Sequence, residues 1–128
     1  MIDHISIGVA DLMASTSFYD SVLEPVGMKR LVTRDSTVGF GKQYPEFWLN
    51  HRPDMPAVEE ATGVHVCLRA RSIDAVHAFY DTARRLGAAD DGAPGPRPQY
   101  SEAYYAAFIR DPDGNRIEVV TFIPKDAA

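Results

Sequence analysis

The chain has 128 residues, 45% of them apolar and 24% charged, enough for one domain with a buried core and too few for several independent ones. Thirteen Lys and Arg against 18 Asp and Glu leave a formal charge of −5, which argues against the basic surface that nucleic acid requires. No apolar run approaches the roughly 20 residues of a membrane span, the N-terminus carries no secretory signal, and lone Cys67 has no internal disulfide partner, so the expected setting is a reducing cytoplasm.

Residues 2–9 alternate as a strand, with Ile5, Ile7 and Val9 on one face and His4, Ser6 and Gly8 on the other. Asp11 then reads as the N-cap of a helix carrying Leu12, Phe18, Tyr19, Val22 and Val26, cut short by Pro25. Extended runs follow at 29–33, 37–42 and 46–50. The pattern restarts at His65: Val66 and Leu68 oppose His65, Cys67 and Arg69, and Ser72 caps a helix carrying Ile73, Val76, Phe79, Tyr80, Ala83 and Leu86 that stops at Gly87. A weak strand is expected at 88–91. Residues 92–100, with three prolines and two glycines, read as a loop able to fold over a site. Strands at 103–110 and 116–122 close the chain, joined as a hairpin by Asp111-Pro112-Asp113-Gly114-Asn115. Residues 125–128 read as a tail.

The restart is a duplication. A shift of 61 positions superimposes His4 on His65, Leu12 on Ile73, Ala14 on Ala75 and Phe18-Tyr19-Asp20 on Phe79-Tyr80-Asp81. The expected fold is α+β: two βαβββ modules, about 1–55 and 62–124, sharing one domain over 1–124, with apolar faces under the helices and polar faces lining a cleft.

Repeat symmetry brings His4 and His65 toward each other, and Glu118 interrupts the apolar run Ile117-Glu118-Val119-Val120, where a carboxylate needs a partner. Two imidazoles and a carboxylate suit one divalent ion, Zn, Ni, Co, Mn or Fe; the plainer reading is a set of hydrogen-bonded cleft residues. Cys67 is inert packing or a cleft thiol, His51 a residue bordering the cleft, and His77 a surface residue. Tyr100, Tyr104 and Tyr105 form an aromatic cluster that serves either packing or substrate, and Arg69 holds either a substrate carboxylate or a surface ion pair.

Asp3-His4-Ile5, Phe18-Tyr19, His65, and residues 111–115 followed by Ile117-Glu118 together resemble the vicinal oxygen chelate superfamily of glyoxalase I, extradiol dioxygenases, fosfomycin-resistance enzymes and bleomycin-binding proteins. The resemblance implies a cupped, mixed eight-stranded sheet with helices outside and a metal on the concave side. It carries His4, His65 and Glu118 over as metal ligands, while Trp48 stands where glyoxalase I has its remaining glutamate. The implied activity is that of a lyase, isomerase or dioxygenase on a small oxygenated metabolite, with Glu118 as ligand and base, Tyr104 or Tyr105 as donor, and Trp48, Arg69, Tyr100 and Tyr104 against the substrate. A homodimer is expected, and some relatives exchange modules between chains. The alternative is a metal-free binding protein of the bleomycin-resistance type, holding its ligand between aromatic residues such as Trp48 and Tyr105.

Overall fold

The computed structural model describes residues 1–124, so the expected tail at 125–128 lies outside the described residues. Strand β1 (Ile5–Val9) leads into helix α1 (Leu12–Val22), whose first turn is closed by the Asp11 carboxylate accepting from the Ala14 amide at 3.0 Å. Pro25 ends regular helix as expected, and one 3-10 turn (Glu24–Val26) leads to β2 (Lys29–Thr33), β3 (Thr37–Gly41) and β4 (Phe47–His51). The second module repeats this with β5 (Val66–Arg69), α2 (Ile73–Arg85), β6 (Ala89–Pro96), β7 (Tyr104–Arg110) and β8 (Arg116–Phe122).

The eight strands form two four-stranded mixed sheets, ordered β1-β4-β3-β2 and β5-β8-β7-β6, in which only the β1/β4 and β5/β8 pairs are parallel. Strand β1 is therefore an edge of one sheet and β5 of the other. Ile5, Ile7 and Val9 face inward with Phe47 and Leu49, while Ile109, Ile117 and Val119 do so in the second sheet; with Phe18, Tyr19, Val22, Val76 and Phe79 from the helices they make one continuous core.

Strand β6 corrects one expectation. Instead of ending at residue 91 it runs on to Pro96, because register shifts at Asp90/Gly92 and Gly92/Gly95 absorb the residues that would break a regular ladder. It is an outer strand, so Pro94 and Pro96 remove no obligatory ladder bond.

The 111–115 turn does more than close a hairpin. Asp111 is 4% exposed, and its carboxylate accepts from the Tyr19 hydroxyl at 2.7 Å, Asn115 Nδ2 at 3.0 Å and the amides of Asp113 and Asn115. Asp113 accepts from the Ala10 amide at 3.0 Å, and Asn115 donates to the Gly8 carbonyl at 3.0 Å. Gly114, at φ 91°, passes so close to Val58 that a Cβ would stand 2.9 Å from its carbonyl oxygen. The turn thus fastens the second module to the first. No helix among the described residues is long and apolar enough to cross a membrane.

Candidate functional site

Glu118 lies midway along β8, opposite Cys67 on β5 and Phe108 on β7, so strand alternation raises its side chain on the sheet face away from the core. It is nonetheless only 3% exposed. A carboxylate so buried requires partners. His65 Nε2 stands 2.9 Å from Oε1, and the Tyr104 hydroxyl donates to Oε2. Burial first, and then the bond to Glu118, hold the Tyr104 phenol well above its ordinary pKa, so it stays a donor through the neutral range. Desolvation, followed by the Glu118 charge, pushes the thiol of the partly exposed Cys67 up to about 12.

A hollow of about 490 Å³ opens over this cluster, walled by Tyr100, Tyr104, Phe108, His65 and Arg116. Tyr100 stands at the rim with its ring edge-on to Tyr104 at 5.1 Å, and Phe108 lies 6.2 Å from the His65 ring beneath the Arg97 guanidinium. Arg97 is itself held by the carbonyls of Ala93, Gly95 and Pro96, and Arg116 by Asp91 at 2.8 Å. The hollow is thus aromatic, with its flanking charges already paired. Phe108 and Arg116 were missed by sequence reasoning: period-two counting along β8 from Glu118 reaches Arg116, whereas Phe108 follows only from the β7/β8 register.

On its other side His65 borders a crevice of about 440 Å³ that also contains His4, Lys42, Cys67 and Arg69. His4 does not meet Glu118. Its Nδ1 is 2.6 Å from Asp3 Oδ1, and the side chain is half exposed. Among the described residues no three His, Cys, Asp or Glu side chains converge to hold an ion. The expected meeting of His4, His65 and Glu118 therefore does not occur within one chain, because β1 and β5 are edges of separate sheets and not neighbours in one. By donor chemistry the pair fits, since imidazole nitrogen and carboxylate oxygen are both ligands of divalent ions; at 2.9 Å the two are joined to each other by a hydrogen bond. One chain thus brings together an imidazole and a carboxylate, with no third His, Cys, Asp or Glu beside them among the described residues.

The other expected residues divide between faces. Tyr105 corrects the expectation of a catalytic donor: it is one position out of phase with Tyr104, points toward α2 and bonds His77 Nε2 at 2.7 Å. It therefore cannot sandwich a ligand with Trp48. Trp48 lies on the outward face of the first sheet, across Gly39, where a Cβ would come within 2.9 Å of the indole, and under the Arg34 guanidinium at 5.4 Å. By the strand registers it is the counterpart of Glu118, at position four of the other module. Arg69 has no ion pair among the described residues and lies over the Phe122 ring at 4.7 Å. His51 does not border the cleft; it opens behind the first sheet, beside α1.

Two βαβββ modules on a duplicated scaffold thus present a buried carboxylate and an imidazole in an aromatic hollow. The sequence model of the Glyoxalase/Bleomycin resistance protein/Dioxygenase superfamily matches residues 1–119, and the chain belongs to that superfamily. Its structure is similar to a glyoxalase/bleomycin resistance protein from Albidiferax ferrireducens, with TM-score 0.81 and 27% identity over 92% of this chain and 96% of that one. It also shares its fold with a glyoxalase/bleomycin resistance protein/dioxygenase family enzyme from Burkholderia phytofirmans (TM-score 0.73, 17% identity, covering 95% and 98%). The fold recurs in the fosfomycin resistance protein FosX of Listeria monocytogenes (TM-score 0.69, 17% identity, 94% and 91%). No curated protein matches the chain.

Proposed function

We propose that two copies of this chain form a cytoplasmic metalloenzyme acting on a small oxygenated metabolite, with one divalent ion (Zn, Ni, Co, Mn or Fe) at each of two shared sites. His65 and Glu118 of one copy and His4 of the other would hold the ion. The observation that carries this reading is the buried Glu118 carboxylate in contact with the His65 imidazole at 2.9 Å, two donors of the types that bind divalent ions. Apolar side chains flank both histidines in the open: Ile2 is 78% exposed, Val64 69% and Tyr100 60%. Surface of this kind is what a second copy covers.

The ion would supply Lewis acidity toward the substrate. The remaining work falls to the chain. Tyr104 fixes the Glu118 carboxylate by donating to Oε2, leaving Oε1 toward His65. Glu118 is the one carboxylate lining the hollow, so it is the base that takes a substrate proton. Phe108 and Tyr100 shield that transfer from water, and Arg69, free of an ion pair among the described residues, faces the crevice with a charge for an anionic substrate end.

A metal-free binding protein is the second reading, favoured by His4 resting on Asp3 instead of on the Glu118 cluster. Metal content separates the two. Elemental analysis after chelation and reloading should find about one ion per chain, and little in His4→Ala, since each site needs three protein ligands. A chain that retains no ion under any loading condition would instead support ligand binding without metal.

A further inference from the structure

Arg116 stands two residues before Glu118 on β8, so strand alternation puts both side chains on the same face of the second sheet, and both line the aromatic hollow. Its guanidinium is held from one side only. Asp91 accepts from Nε at 2.8 Å, while the two terminal nitrogens donate no hydrogen bond among the described residues. A guanidinium carries its donors in a planar fork, and the pair of terminal nitrogens left over is an edge that matches the two oxygens of a carboxylate.

This side of the second sheet is short of negative charge. Asp91 is shared, because Arg110 lies 3.6 Å from its other oxygen; Glu60, the second carboxylate near Arg110, is 4.0 Å away with its side chain 85% exposed, where water screens it. Arg97, over the Phe108 ring, is bonded to the carbonyls of Ala93, Gly95 and Pro96, which fix it in place and leave its charge uncancelled. Three guanidiniums are thus set against one closely bound carboxylate. Within the hollow, Glu118 is already answered by His65 and Tyr104. The other walls, Tyr100, Tyr104 and Phe108, are rings, which favour a flat apolar body.

We infer that the Glu118 hollow takes a small organic acid, with its carboxylate on the free edge of Arg116 and a flat apolar body against the Phe108 and Tyr104 rings. The inference rests on the reading of this hollow as the substrate site, and it adds the residue that selects the substrate. Arg69 serves a different space, the crevice on the other side of His65.

The probe is benzoate, titrated into the protein as purified and again after chelation, the second time so that no ion competes for its carboxylate, with occupancy read by ligand-observed NMR. Saturable binding is expected, and benzyl alcohol, the same ring without the charge, should bind at least ~10-fold more weakly, the low end for a charge-assisted hydrogen bond. Arg116→Gln should weaken benzoate by about the same factor, and Arg116→Lys, which keeps the charge and loses the fork, by about 2- to 10-fold. Arg30→Gln, on the first sheet and paired with Asp20, removes the same charge elsewhere and should change nothing. Equal affinity for benzoate and benzyl alcohol, undiminished benzoate binding in Arg116→Gln, or no saturable binding below the solubility limit would overturn the inference. Should Arg116→Gln fail to fold, Arg116→Lys and the benzyl alcohol comparison on the native chain decide the question. Metal content is read on the same samples. Benzoate binding that depends on Arg116 in a chain that retains no ion would support this inference and remove the metal reading, whereas a metal-loaded chain without benzoate binding would do the reverse.

Discussion

Replacing Glu118 by glutamine should weaken divalent-ion binding by at least ~100-fold while leaving the fold intact. The side chain is buried with both oxygens occupied, so glutamine fits the volume and its carbonyl still accepts one hydrogen bond. What disappears is the negative charge that an ion would find there. Changes one layer out from a metal already cost about 10- to 100-fold in affinity, and a direct ligand costs more. Turnover, once a substrate is in hand, should fall at least about 10²-fold, the low end for loss of a general base. Tyr105→Phe, which removes only a bond to His77 on the opposite face, is the matched control and should leave metal affinity unaltered. Calorimetric titration of the chelated protein reads both variants. Unchanged affinity in Glu118→Gln would remove this carboxylate from any metal site.

The second large effect is expected far from the site. Asp111→Ala should destabilise the protein by about 3–5 kcal/mol and lower Tm by more than about 10 °C. The carboxylate, 4% exposed, accepts from the Tyr19 hydroxyl, the Asn115 amide and two backbone amides, and alanine would leave the fully buried Tyr19 hydroxyl without a partner and unlatch the 111–115 turn. Tyr19 belongs to the first module and Asp111 to the second, so the change also loosens the joint between them. Against a total stability of roughly 5–15 kcal/mol this is a large fraction. Burial, outweighing the bonds it accepts, raises the Asp111 pKa above the ordinary 3.8. The folded chain therefore holds a proton that the unfolded chain has released, and this group's contribution falls as pH rises from near 3.8 through the folded value. Urea unfolding at a series of pH values should show that slope in the native protein and not in Asp111→Ala. A variant as stable as the parent would refute the clasp.

Much of this was legible in the residues. The 61-residue repeat located both helices and the strand that opens each module, period-two alternation put His4 and His65 on the polar face, and the apolar run around Glu118 marked a carboxylate in need of a partner. The resemblance carried by residues 3–5, 18–19, His65, 111–115 and 117–118 led to the superfamily that the sequence model matches. Three things were not legible. Tyr104 and Tyr105 are adjacent, and only the pairing of Phe108 with Glu118 decides which of them faces the carboxylate. Strand β6 depends on bulges, which composition reports only as broken pattern. Repeat symmetry equates His4 with His65 but carries no information on the distance between the modules, which is set by how α1, α2 and the 111–115 turn pack.

The proposed metal site turns on that distance, because a second copy would have to supply His4 to each His65–Glu118 pair. The most direct test mixes two inactive chains, His4→Ala and Glu118→Ala, under conditions that let subunits exchange. Each variant alone should hold little metal. With sites shared between copies, random 1:1 exchange makes half the dimers mixed, each with one intact site of two, so metal content should recover to about a quarter of the native value. Recovery to that level supports sites built by two chains, and no recovery despite proven exchange contradicts it.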